Sequence, residues 1–377
     1  MPDPPQHSDE KPDAQGEHLD AAVTPELFRE WRSPRFGQFN PERMNNPVWE
    51  WLVRSNLNAY LATEQFNGPS AEDAGPGWCF DRFGQSSTLL SDGRTVLIAG
   101  EHEDHYDPDF YIYNDVVVRH PDDTIDIFGY SRGVFPPTDF HTATLVGSLI
   151  IIIGNLGYPE ERKPGTTPVL ILDLDTFAIS QVVCSGTPPG WLHRHTASLS
   201  EDRASILIQH GELDRGDEDT WLVENIDDWR LHLADWRWEP VTERRWQRWE
   251  VRRTDRKPNH MWDIQQALWS RNVGWRKQLR EQMEQLTVEC GVRADLDLAA
   301  RLYRPRIPHE EMPKIEDKYN VFRIKVDGIT VRFVEHPYSV QMTVEGDLPH
   351  SSVEALASDL LEKISALENT PCELKRL

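Results

Sequence analysis

Three segments of the chain superimpose at a spacing of a little over fifty residues, and this repetition restricts the fold more than any single helix or strand assignment. The first reads FGQSSTLLSDGRTVLIAGE and continues through IYNDVVVRH and TIDIFGY; the second reads FHTATLVGSLIIIIGN, TPVLILDLDT and FAISQVV; the third reads RHTASLSEDRASILIQHGE, DDWRLHLADW and RWEPV. Gln85, His141 and His195 share one equivalent position, 56 and 54 residues apart, and Gly100, Gly154 and Gly211 share another, 54 and 57 apart. Within each unit, short aliphatic or alternating runs are separated by turn residues, which predicts four antiparallel strands per unit.

Pro-rich segments lead into the second and third units, Phe-Pro-Pro-Thr-Asp-Phe-His at 135–141 and Thr-Pro-Pro-Gly-Trp-Leu-His-Arg-His at 187–195, and Asn114-Asp115-Val116 opens a third strand. In these features and in its period, the stretch from about 80 to 243 resembles the kelch-repeat β-propellers of the kelch-like and galactose oxidase central-domain superfamily. Two departures stand beside the resemblance: the glycine after the second strand is single (Gly100, Gly154, Gly211), and the late tryptophan occurs only in the third unit, at Trp236 or Trp238. The resemblance implies a mainly β chain with a partial, incomplete propeller of three four-stranded blades. A closed propeller typically has about four to eight blades, so three would leave strand edges and an apolar wall to be covered. The candidates for that cover are the flanking helices, a diverged blade, or a second copy of the chain, since two three-blade arcs make six.

The flanks read differently. Residues 1–22 are Pro, Asp, Glu, Gln and His with almost no large apolar side chain, a composition expected of a disordered tail. Over 23–77, Thr24-Pro25 opens a capped helix carrying Leu27, Phe28 and Trp31, and a second helical stretch is expected from Asn46 to about Phe66. The repeats occupy 78–243. A Trp/Arg-rich helical segment is expected over 244–310, with an amphipathic stripe from Asn259 to Glu289 interrupted by Gly274 and a shorter helix at Ala294–Tyr303. In the last part, 311–377, strands are expected at 321–326, 329–335 and 339–344, the first two joined by the Asp327-Gly328 turn, followed by a helix over 351–367. This is a small α+β module of βββα order.

Lys and Arg number 40 against 63 Asp and Glu, a net charge of −23 that repels phosphate backbones, so nucleic acid is not an expected partner. The locally basic, aromatic stretch from Trp236 to Lys257 could in principle stack bases. Nine of the fourteen tryptophans lie between Trp221 and Trp275, and packing of that segment across the repeats is the simpler account. The four cysteines (Cys79, Cys184, Cys290, Cys372) form no CxxC pair, as expected of ordinary thiols in a reducing compartment. With no secretory signal at the N-terminus and no aliphatic run longer than Leu149–Ile153, the expectation is a cytoplasmic protein with no membrane partner.

In an up-and-down blade, the loop leaving the second strand opens on the same side as the link to the next blade. That side gathers EHEDHYDPD (101–109), NLGYPEERKPG (155–165) and HGELDRGDED (210–219) together with the histidines of the links. The expected binding face is therefore His102, Asp104, His105, Asp107, Asp109, His141, His193, His195, His210 and Glu212. Imidazole and carboxylate suit Zn or Fe(II), which makes His105, His141 and His195 the metal candidates. Against that, the spacing matches no closed ligand motif, and a polar residue opening the innermost strand has a structural use in joining blades. No GxSxG elbow, GxGxxG or GxxxxGK[ST] occurs, so neither nucleophilic catalysis nor a nucleotide cofactor is expected. The leading expectation is a non-enzymatic interaction protein or scaffold whose loop face meets a protein or peptide, with a homo-oligomer as one way of closing the arc. The alternative is a metal-dependent enzyme or small-ligand binder using the His/Asp cluster on that same face. A third places the function in the C-terminal module and leaves the repeats purely structural.

Overall fold

A computed structural model describes residues 23–103, 109–216, 222–315 and 319–377. Strand outweighs helix, and the chain divides into two compact units, residues 1–243 and 244–377. Among the described residues, no helix is long and apolar enough to cross a membrane.

The first unit is built on three four-stranded antiparallel meanders of identical order. The first comprises Ser86–Leu89, Thr95–Ile98, Asp115–Arg119 and Ile125–Gly129; the second Thr142–Val146, Leu149–Ile153, Val169–Asp173 and Ile179–Gln181; the third Thr196–Leu199, Ser205–Gln209, Trp229–His232 and Arg237–Pro240. The opening strand of the second meander lies against the opening strands of the first and the third. Among the described residues the three make no closed ring.

Two apolar cores join the meanders, and side-chain alternation explains both. Ile150, Ile152, Leu170 and Leu172 of the second meander pack against Val96, Ile98, Val116 and Val118 of the first. Ile151, Ile153 and Val169 point the other way, onto Ile206, Ile208, Leu231 and Trp238 of the third. The strand Leu149–Ile153 is aliphatic throughout because both of its faces are covered.

The ends of the stack are finished in two ways. On the free face of the first meander, Val117, Ile125 and Ile127 are covered by helices Pro25–Trp31, Pro47–Ser55 and Ala59–Gln65 through Phe28, Trp49 and Leu52. Trp49 stacks on Trp78 at 5.1 Å, and the Trp78 indole donates to Asp115 Oδ2 at 2.8 Å. Asp115 also takes a two-pronged ion pair from the buried Arg82, whose guanidinium lies 3.5 Å above the Tyr113 ring. The free face of the third meander is polar instead: Leu207 and Ser205 stand opposite Arg230 and His232, which face Glu239 and Arg237. Short strands also cap two outer edges, Glu42–Arg43 on the first meander and Ser185–Gly186 on the third.

The single helix expected from Asn46 to Phe66 is two. Asn56 turns left-handed (φ 54°) after Ser55, and Asn58 caps the next helix by accepting from the Leu61 amide. Likewise Gly274, at φ 82°, ends Met261–Val273 before Arg276–Cys290 begins. The helix expected at 294–303 is one short turn, Leu296–Ala299, capped by Asp295.

The structure also corrects the division of the C-terminal half into a helical segment and a separate βββα module. Strands Val321–Val326, Ile329–Glu335 and Ser339–Val344 lie where the alternation places them, and helix His350–Glu368 follows. The sheet, however, has six strands: Gln247–Arg253 pairs with Ser339–Val344 on one side and with Cys372–Arg376 on the other, and Glu310–Glu311 flanks Val321–Val326. The Trp/Arg stretch thus contributes an interior strand, and 244–377 is one body. Its core packs Met261, Ile264, Met283 and Leu286 with Val331, Phe333, Met342, Leu356 and Leu360.

Glu368, fully buried at the end of the last helix, ties this unit together. Its carboxylate accepts from Arg253 Nη1 at 2.7 Å and from the His260 amide and Nδ1, each at 2.8 Å. Removing one partner of a buried ion pair strands the other's charge. Glu368→Ala is therefore expected to destabilise the 244–377 unit by about 3 kcal/mol, read as a lowered urea midpoint, while Glu373→Ala, which loses only an exposed partner of Arg252, shifts it little.

Candidate functional site

At the start of each innermost strand the chain makes the same sharp turn. Gly84, Phe140 and Arg194 all hold left-handed backbone, with φ of 63°, 48° and 55°. The Phe140 amide donates to the Gly84 carbonyl at 3.0 Å, and the Arg194 amide donates to the Phe140 carbonyl at 2.8 Å, so one hydrogen-bonded ladder runs across the three meanders. The Arg194 guanidinium sits 4.0 Å over the Phe140 ring, adding a cation–π contact to the same step.

The next residue of each turn is Gln85, His141 or His195, followed by Ser86, Thr142 or Thr196. His141 Nε2 lies 2.8 Å from Ser86 Oγ of the preceding meander, and His195 Nε2 lies 2.8 Å from Thr142 Oγ1. The last hydroxyl, Thr196, meets the exposed His210 Nδ1 at 3.2 Å within its own meander. His141 and His195 are buried, and neither Nδ1 has a hydrogen-bond partner. A proton on Nε2, donated to the hydroxyl, is the tautomer that leaves no N–H dry. Desolvation holds His141 down at about 4 and His195 at about 3, so both rings are neutral near pH 7.

Beyond the meanders, the loops leaving the second strands form a rim. Glu101–His102 pairs with Tyr111–Ile112, and Glu212–Asp214 pairs with Trp191–His193 and Val223–Glu224. The Ile112 amide donates to the Tyr158 hydroxyl at 3.0 Å, joining the first loop to the second, and Arg162 pairs with Asp214 at 3.2 Å, joining the second to the third. Gly154, at the mouth of the second loop, admits no side chain: a Cβ there would fall 2.3 Å from the Leu192 carbonyl oxygen.

Beneath the rim sit polar side chains that the repeat alignment does not single out. Asp139 and His193 occupy equivalent positions two residues before His141 and His195, and both are fully buried. Asp139 Oδ1 accepts from the Gly157 amide at 2.6 Å, while Oδ2 has no partner; neither ring nitrogen of His193 has one within hydrogen-bonding distance. Burial, reinforced by Arg194 and Arg162, holds His193 at about 3. Glu101 is pushed up to about 7, chiefly by burial and then by the charge of Asp139, and Asp139 is itself raised by burial.

The expected face thus separates into parts. His141 and His195 are links between meanders. His193 lies beside Glu212, with Nε2 3.9 Å from Oε2, and His102 is buried with Nδ1 3.0 Å from the Asp81 carbonyl oxygen. Asp109 lines a separate cavity with Arg32 and Tyr60. Asp104, His105 and Asp107 lie outside the described residues. Among the described residues, no three His, Cys, Asp or Glu side chains form a group that could hold a metal ion. Compared with known protein families and with curated proteins, the chain matches none.

Two measurements follow from the links. His195→Ala removes a buried ring and its bond to Thr142, an expected loss of about 2–4 kcal/mol in urea unfolding. His141→Gln installs the amide that Gln85 uses in the first meander, where its Nε2 donates to the Ala99 carbonyl at 3.2 Å, and should cost about 1 kcal/mol. The pH dependence has a definite sign. Because the folded histidines have pKa values below the unfolded value near 6.5, their stabilisation is complete above that pH and is lost as pH falls toward 4 and 3. Glu101 acts oppositely, its contribution being present below about 4.5 and lost as pH rises through 7. The deficit of His141→Gln relative to the wild type is expected to shrink between pH 7 and pH 5, since the variant has one ring fewer to protonate. A deficit that widens over this range would contradict a neutral, buried His141.

Proposed function

We propose that residues 78–243 form a partial kelch-like propeller of three blades whose loop face binds a protein or peptide partner, without carrying out a reaction of its own. One observation supports this above the others. His141 and His195, the ring-bearing groups nearest the start of the innermost strands, are spent on hydroxyls of neighbouring meanders and are buried and neutral. What remains outward on that side is the rim of three mutually braced loops, with Glu103 and Glu160 exposed. Loops carried on a rigid sheet stack are the usual place for recognition. The surplus of acidic residues in the chain favours a partner segment bearing Lys or Arg.

A catalytic or small-ligand reading draws on a different observation, the buried Asp139 and His193 with polar atoms lacking partners and the carboxyl of Glu101 held near neutrality. The two readings separate in a single experiment. Peptides from a random display library are selected on the full chain, and the enriched sequences are titrated by calorimetry. The binding reading expects enriched peptides with basic residues, which Glu103→Arg with Glu160→Arg weakens by about tenfold or more at unchanged thermal stability. Failure to enrich any sequence, together with stoichiometric metal in protein purified without chelator, would replace it with the catalytic reading.

A further inference from the structure

Among the N-terminal helices lies a cavity of about 620 Å³ lined by Arg32, Tyr60, Glu64, Ser70, Glu72 and Asp109. Its size is within the range of small-molecule sites. Arg32 follows helix Pro25–Trp31, and its backbone carbonyl accepts from the Trp78 amide at 2.6 Å, so its main chain is fixed. The residue is only 3% exposed. Its Nη2 donates to the Gly75 carbonyl at 3.1 Å, but Nε and Nη1 have no hydrogen-bond partner. A guanidinium is always charged, and burying it with dry N–H groups is costly unless something polar meets them. Asp109 acts on it electrostatically, without giving those two nitrogens a hydrogen bond.

Gly77 shows how a ligand would reach that charge. A Cβ built there would lie 3.5 Å from Arg32 Nη2 and 3.8 Å from Nε, so the glycine leaves room beside the buried Nε–Nη2 edge that no side chain fills. That edge is the fork that receives a carboxylate through two parallel hydrogen bonds. The rest of the lining has the opposite sign. Glu64, which accepts from the Tyr60 hydroxyl at 2.8 Å, stands with Glu72 and Asp109 in the wall. A simple anion would meet three carboxylates, and a simple cation would meet the buried guanidinium. A molecule carrying both charges a few bonds apart satisfies the site. Tyr60, half-exposed, adds an aromatic face at the mouth.

We infer that this cavity binds a small zwitterion, a free α-amino acid, with its carboxylate on the Nε–Nη2 edge of Arg32 and its ammonium toward Glu64, Glu72 and Asp109. The site is independent of the loop face proposed above for a protein partner.

The test is calorimetric titration of the full chain with each of the common amino acids, using acetate and methylammonium as single-charge controls. At least one amino acid is expected to saturate a single site at millimolar concentration or below, with neither control competing. Arg32→Lys keeps the charge but loses the fork, and an affinity loss of about tenfold or more is expected. Because a buried arginine can also matter for folding, two gentler variants accompany it. Gly77→Ala places its methyl 3.4 Å from Ala59 Cβ, an ordinary contact, and is expected to block binding at unchanged thermal stability. Glu72→Gln, at an exposed position, is expected to weaken the amino acid several-fold. The inference is overturned if no amino acid binds at millimolar concentration, if acetate competes as strongly as the best amino acid, or if Gly77→Ala and Glu72→Gln both bind like the wild type.

Discussion

Everything in the first unit depends on how one innermost strand is keyed to the next. The key has a backbone half and a side-chain half. The left-handed residue turns the chain so that its own amide reaches the carbonyl of the corresponding residue one meander earlier, and the following histidine closes on the hydroxyl beside that residue. A one-residue slip of one innermost strand along the next would break both at once. The aliphatic cores supply most of the attraction, each buried isoleucine being worth about 2 kcal/mol, but they would accept several registers. The polar key selects one.

The same economy governs the other buried charges. In a chain with a net charge of −23, Arg82 and Arg253 are drawn inside to meet Asp115 and Glu368, each pair further held by ring, indole or imidazole contacts. Such pairs contribute less to net stability than their Coulomb energy suggests. Their effect is positional. Asp115 fixes Trp78 against the first meander, and Glu368 sets the last helix against the start of helix Met261–Val273.

The repeats were legible because each meander solves the same steric problem with the same residues. Glycine at 100, 154 and 211, and a polar residue before a hydroxyl at 85, 141 and 195, are demanded by close backbone approach and by the interlocking strands. The three C-terminal strands were legible from alternation and from Asp327-Gly328, whose left-handed φ values of 49° and 79° suit a tight turn. The strand Gln247–Arg253 was not, since Arg248, Glu250 and Arg252 alternate with Trp249 and Val251 in a run that reads as a basic surface. Its partners lie about a hundred residues away, where no local pattern can announce them. Asp139 and His193 were hidden for a related reason. His193 stands out for its chemistry, but the equivalence that buries the pair joins an acid to an imidazole, and no similarity of residue type marks it. Arg32 carried no signal at all, because its significance lies in the bonds it does not make.

The two ends of the stack differ in kind. The first meander continues into an apolar helical cover, whereas the third ends in Arg230, His232, Arg237 and Glu239 around a single leucine. The first and second meanders carry apolar side chains on both faces, and only the second meets another meander on each. An added unit placed after the third would be set against charge, while one copied from the second and inserted beside it would find a complementary surface on either side. Lengthening by duplication of the middle thus preserves the packing on both sides, whereas a unit added after the third would have to diverge from the pattern it follows.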